Sequence, residues 1–177
     1  EKALEAGAFV VALTTNGKLA EWAQRKNVPL IRFSYQSQPR AAIGYSFSLV
    51  LGIFQALGWI DDRTSQMDEA IHVMNRLQQE IHVNVPTAQN RAKQVADWLH
   101  GGIAVVYGAD YLSEVARRWK GQFNENAKAW AFFEQMPELN HNAVLGYTSP
   151  EALRSRMRVI LLRSSLDHQH NQWRFDV

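Results

Sequence analysis

Glu125 stands between two amides, Asn124 and Asn126, and His141 follows sixteen residues later. A carboxylate and an imidazole on neighbouring elements are the raw material of proton-transfer chemistry. The ordinary fate of a helical glutamate is a solvated surface. Three features set this one apart. Its flanking amides can hydrogen-bond a sugar or fix the carboxylate. Gly121, one helical turn earlier, lets a ligand or backbone come close. Trp119, Phe123 and Trp130 can partly desolvate the site, as suits a general base. His141 lies between Asn140 and Asn142, in a turn before an expected strand. Loops at strand ends of α/β sheets build sites, and an imidazole can give or take a proton near neutrality.

Arg40 follows Gln38-Pro39 at the start of an expected helix. A guanidinium beside free helix N–H groups makes a site for an anion or an enediolate. Arg40, Asn124 and Asn126 are therefore the substrate-binding candidates. Glu138 and His168 are held in reserve. The remaining histidines, His72, His82, His100 and His170, sit on polar faces or in loops. Asp167-His168-Gln169-His170 lacks the further spaced ligands a metal site needs, so no metal and no cofactor is expected. Gly108-Ala109-Asp110 after a strand is a possible phosphate cradle, although no Walker or dinucleotide fingerprint is present.

The elements that must position these groups alternate helix and strand. Ala8–Thr14 is a continuous apolar run of the kind that forms a parallel strand covered on both faces. Lys18–Lys26 reads as a short amphipathic helix with Leu19, Trp22 and Ala23 inward. Val28–Phe33 reads as a second strand, with Pro29 at its start. This grammar implies an α/β layer with a parallel sheet. Asp61–Thr64 caps a new helix and marks the boundary between two halves, 1–62 and 63–177. Helices are expected over Thr64–Val83 and Ala88–Leu99. Ile103–Tyr107 is a buried strand, and the i, i+3/i+4 rhythm predicts one long helix from about Tyr111 to Gln135. Asn142–Tyr147 reads as a short strand, Ser149-Pro150 as a helix start with Ser149 as N-cap, and Arg158–Arg163 as a further buried strand.

Composition bounds the function classes. A hydrophobic share of 46% supports a real core. The formal charge is +2, with Lys and Arg scattered rather than bunched, so the pI of about 9.0 does not make a nucleic-acid stripe. The chain has no cysteine, which excludes disulfides, thiolate catalysis and Cys-based zinc sites and fits a cytoplasmic protein. Ile43–Ile60 is uncharged and touches the lower length for a membrane span. It contains Ser46, Ser48, Gln55 and three glycines, and reads as a buried core or interface helix. No membrane partner is expected. The start, Glu1-Lys-Ala-Leu-Glu-Ala-Gly, looks like the tail of a helix, so the chain reads as a fragment.

Val106-Tyr-Gly-Ala-Asp110, Arg118–Lys128 and Pro137-Glu-Leu-Asn-His-Asn142 resemble the bifunctional phosphoglucose/phosphomannose isomerases, members of the sugar isomerase (SIS) fold group. Leu13-Thr-Thr-Asn-Gly17 and Gln38-Pro-Arg-Ala-Ala42 look like that family's first half. The resemblance implies two SIS-type subdomains, α-β-α layered, with the first truncated. It implies a metal-free aldose–ketose isomerisation of glucose 6-phosphate or mannose 6-phosphate with fructose 6-phosphate. Glu125 matches the base that moves a proton between C1 and C2. His141 matches the ring-opening histidine, supplied by the partner subunit of a homodimer. Arg40 matches the arginine that stabilises the enediolate. The phosphate-binding loop is expected upstream of Glu1, and an assisting lysine beyond the last residue. The alternative is a non-catalytic SIS module that senses a sugar phosphate.

Overall fold

A computed structural model describes residues 1–176 and divides the chain into two compact units, Glu1–Asp61 and Asp62 onward. In the first unit, α1 (Lys2–Glu5) ends at Gly7, whose φ of 77° suits glycine. Strands β1 (Ala12–Thr14) and β2 (Leu30–Arg32) pair in parallel, from Ala12↔Leu30 to Thr14↔Arg32. Helix α2 (Lys18–Arg25) makes the crossover. Ala12, Ala23 and Val28 form the core, packed by Leu4, Val10, Trp22 and Leu30.

Three features of this unit differ from the sequence expectation. Leu19 is 46% exposed, and Ala20 takes the inward position. The strands are also shorter than the apolar runs, because only three residue pairs enter the ladder. A 3₁₀ turn, Pro39–Ala41, then leads into α3 (Ile43–Ala56). Tyr45 of α3 stacks on Phe33 with ring centroids 5.5 Å apart and meets Tyr35 edge-on at 5.2 Å. No residue of α3 is buried, so of the core-or-interface expectation the core half does not hold.

The second unit opens with α4 (Thr64–Glu80), whose first turn is held by Asp62: its Oδ1 accepts the Thr64 N–H at 2.9 Å and the Thr64 hydroxyl at 2.6 Å. The face carrying Ile71, Met74 and Leu77 stays exposed. Buried Asn90 caps α5 (Arg91–Leu99), accepting the Lys93 N–H at 3.0 Å and donating to the His82 carbonyl at 3.0 Å. A three-stranded parallel sheet follows in the order β4-β3-β5, made of β3 (Ile103–Ala109), β4 (Ala131–Met136) and β5 (Met157–Leu161). The central β3 is covered on both faces, as its unbroken apolar run requires. One face carries α6 (Leu112–Gln122). The other holds the core of Val105, Tyr107, Met136, Leu139 and Phe175.

The single helix expected over 111–135 is instead three elements. Helix α6 runs into a π-helical turn, Phe123–Ala127, and Lys128 then adopts the left-handed conformation, φ 56°. The chain turns there into β4. Trp130, Phe132, Glu134 and Met136 therefore alternate along a strand rather than lining a helix. The strand expected over Asn142–Tyr147 is also absent. One helical turn, α8 (Ala143–Gly146), follows α7 (Glu138–His141) and sets Ala143 and Tyr147, four residues apart, against the core. Pro150, not Ser149, precedes α9 (Glu151–Arg154), which has no side-chain cap. The unit's last described helix is α10 (Gln169–Arg174).

Candidate active site

The turn that carries Glu125 is fixed by its neighbours. Asn124 Nδ2 donates to the Ala129 carbonyl at 2.9 Å, and Asn126 Nδ2 donates to Gln122 Oε1. The Ala129 N–H reaches the Phe123 carbonyl at 3.3 Å. Lys128 Nζ donates to the Glu125 carbonyl at 2.6 Å. Each flanking amide thus commits a donor to holding the turn, and the amides position the carboxylate through the backbone. A π-turn at a helix end is a frequent site of function, because the extra residue redirects side chains out of register.

Glu125 itself is exposed, and Trp130 is 78% exposed. The expected aromatic enclosure is therefore not made by these side chains. Trp119 and Phe123, in edge contact at 6.2 Å, instead wall an open cavity of about 370 Å³ with Gln122, Asn126 and Ala127. That volume lies in the range of small-molecule sites.

His141 ends α7 and is exposed. The short helix is anchored by Leu139, only 2% exposed, and by Asn142 Nδ2, which donates to Glu138 Oε1 at 2.7 Å. Glu125 precedes β4 and His141 follows it. The six residues of β4 advance about 17 Å. One chain therefore holds the carboxylate and the imidazole at opposite ends of a strand and does not bring them together. Arg40 is half-buried in the 3₁₀ turn of the first unit, and α3 behind it has no capping side chain.

His168 has a structural task. Its Nδ1 accepts the His170 N–H at 3.2 Å and so caps α10. Its own N–H donates to Asp110 Oδ2 at 2.7 Å, and Asn171 Nδ2 donates to Oδ1 at 3.2 Å. The His168 N–H, followed by the Asn171 amide, holds the Asp110 carboxyl below the usual carboxylate range. Gly108 is not an open phosphate cradle: a Cβ there would meet the Leu112 carbonyl oxygen at 2.3 Å. This glycine lets the first turn of α6 close onto β3. Among the described residues no group of three or more His, Asp or Glu side chains is placed to hold a metal ion, and no helix is long and apolar enough to cross a membrane.

Lys128 and Gln122 escaped the sequence reasoning. Nothing in Asn-Ala-Lys-Ala marks a lysine for the left-handed region, which glycine or asparagine usually fills. The two-residue alternation from Trp130 to Met136 is the signal that separates β4 from the helix before it.

Residues 88–177, just over half of the chain, match the family model for the bacterial phospho-glucose isomerase C-terminal SIS domain. The chain belongs to this family. Its parallel α/β sheets flanked by helices agree with a SIS domain. A bifunctional phosphoglucose/phosphomannose isomerase of Caldicellulosiruptor bescii is 37% identical over 172 residues, covering 97% of this chain and 51% of that relative. An enzyme of the same name from Aquifex aeolicus is 32% identical over 177 residues, covering 100% and 51%. A D-glucosamine-6-phosphate 4-epimerase of Sulfolobus acidocaldarius is 29% identical over 142 residues, covering 80% and 43%. The chain spans about half the length of these curated relatives.

Proposed function

We propose that the chain is the larger part of a sugar-phosphate isomerase that interconverts glucose 6-phosphate, mannose 6-phosphate or both with fructose 6-phosphate. The observation that carries this reading is the fixed turn at Phe123–Ala127, which leaves Glu125 exposed and whose Phe123, Asn126 and Ala127 help to line an open cavity of about 370 Å³, within the segment matched by the family. Glu125 takes the proton from C2 of the open-chain aldose and returns it to C1. The electron pair passes through a cis-enediol(ate), in which the hydroxyl proton moves from O2 to O1, and the same carboxylate serves both directions. For Arg40 the role is the one that the family resemblance implies, a positive charge for the enediolate oxygen. Asn124 and Asn126 hold the turn and keep their carbonyl oxygens for sugar hydroxyls.

His141 opens the pyranose ring before isomerisation. Its position at the far end of β4 from Glu125 supports a site shared between two subunits, in which His141 of one copy serves Glu125 of the other. The test is a coupled assay on the full-length protein, with glucose 6-phosphate and mannose 6-phosphate as substrates and fructose 6-phosphate as the product measured. His141→Ala is expected to slow cyclic substrate far more than open-chain substrate. Equal losses on both would remove ring opening from His141.

A second reading draws on the epimerase relative, whose name places an amino-sugar phosphate in this fold group. Turnover of glucosamine 6-phosphate without any fructose 6-phosphate formation would favour it.

A further inference from the structure

On the face of the sheet opposite α6, a cavity of about 400 Å³ opens between β4, α8 and α9. Its walls are aromatic and aliphatic: Trp130, Phe132, Tyr147, Leu153 and Met157. Trp130 and Phe132 lie 6.0 Å apart with tilted rings, and Phe132 is 46% exposed at the rim. The one ionisable group with a formal charge in this lining is Glu134. It is half-buried on β4, in register with Tyr107 of β3. Among the described residues its carboxylate has no hydrogen bond and no ion pair. Tyr107 and Tyr147 bond to each other, one hydroxyl donating and the other accepting. Burial, reinforced by the charge of Glu134, pushes both hydroxyls above the ordinary tyrosine range, so they stay neutral beside it.

A carboxylate in an otherwise apolar lining, with no protein partner, favours a cation as its counter-charge. Aromatic faces around the same space attract a cation through their quadrupoles and accept an apolar body. A cavity of this size with one charged group and aromatic walls has the composition of a small-molecule site. We propose that this cavity binds a small organic ammonium ion with an apolar body, its charged nitrogen on Glu134 and its body against Trp130, Phe132 and Tyr147. The lining shares no residue with that of the cavity walled by Trp119 and Phe123. The site does not depend on the isomerase reading.

The test is calorimetric titration of the full-length protein with 2-phenylethylamine hydrochloride, and with 2-phenylethanol as the uncharged probe of the same shape. Saturable binding of the amine is expected, weaker by about tenfold for the alcohol and for the amine on Glu134→Gln, as fits loss of an ion pair with its cation–π support. Leu153→Trp, which fills the cavity without touching the carboxylate, should abolish amine binding while circular dichroism stays native. Equal affinity for amine and alcohol, or undiminished binding to Glu134→Gln, would overturn the ammonium assignment. No amine binding, with a change of oligomeric mass on Glu134→Gln, would instead give the carboxylate to a basic side chain of a second copy and overturn it too.

Discussion

Glu125 combines exposure with a rigid backbone, and the two properties serve different ends. Exposure leaves the carboxylate reachable by a substrate. The bonds from Asn124, Asn126 and Lys128 hold the backbone turn from which it projects, which serves the positioning that proton transfer needs. Glu125→Gln keeps the shape and removes the proposed base. In the full-length enzyme it should leave sugar-phosphate binding nearly intact and lower kcat by about 10³-fold, within the range of general-base effects. Near-normal turnover would show that another group moves the proton. Asp110 acts on stability instead. Its folded pKa is depressed from an unfolded value of about 3.9. Its contribution is therefore complete above about pH 4 and is lost as pH falls through the folded value. Asp110→Asn tolerates the left-handed backbone there, φ 46°, and should flatten the acid limb of the melting-temperature profile. An unchanged acid limb would mean the Asp110 bonds to His168 and Asn171 carry no net stability.

Around these residues, the α6–β3 contact is the tightest packing demand. Gly108 sits where the Leu112 and Ser113 backbone comes within 2.3–3.0 Å of an added Cβ. Backbone cannot swing aside as a side chain can. Gly108→Ala should therefore destabilise the second unit by about 2–3 kcal/mol, read as a shift in the denaturant midpoint; a shift near zero would mean α6 moves freely on the sheet. Much of this architecture is legible in the sequence. The apolar run Ile103–Tyr107 gives β3, and the residues Val115, Ala116, Trp119 and Phe123 give α6 by their spacing. The error begins after Phe123, where Trp130 and Phe133 continue the helical spacing by coincidence. The break depends on Lys128 entering a backbone region that its residue type does not advertise. Asn142–Tyr147 misleads in the opposite sense: its short apolar run fits either period, and packing of Ala143 and Tyr147 on the core selects the helix. Glu125 and His141 were legible as residue types. That they lie at opposite ends of β4 was not, because their separation depends on 131–136 being a strand.

At the scale of the whole molecule, the proposed base Glu125 and the proposed ring-opening His141 are held apart by one chain. A two-fold dimer would unite them if each site took Glu125 from one copy and His141 from the other, since a two-fold interface presents the same pair of contacts twice. Phe47 on α3 and, in the second unit, Met74 and Leu77 on α4 are exposed large hydrophobics, the kind of surface that interfaces cover. Complementation between inactive variants reads out the sharing directly. Full-length Glu125→Gln and His141→Ala, each nearly inactive alone, are co-expressed so that subunits assort at random. Half of the dimers are then mixed, and one of the two sites in each mixed dimer has both groups intact. Activity should recover to about a quarter of the wild-type level. A mixture no more active than the sum of the two variants would contradict a site built from Glu125 of one subunit and His141 of its partner.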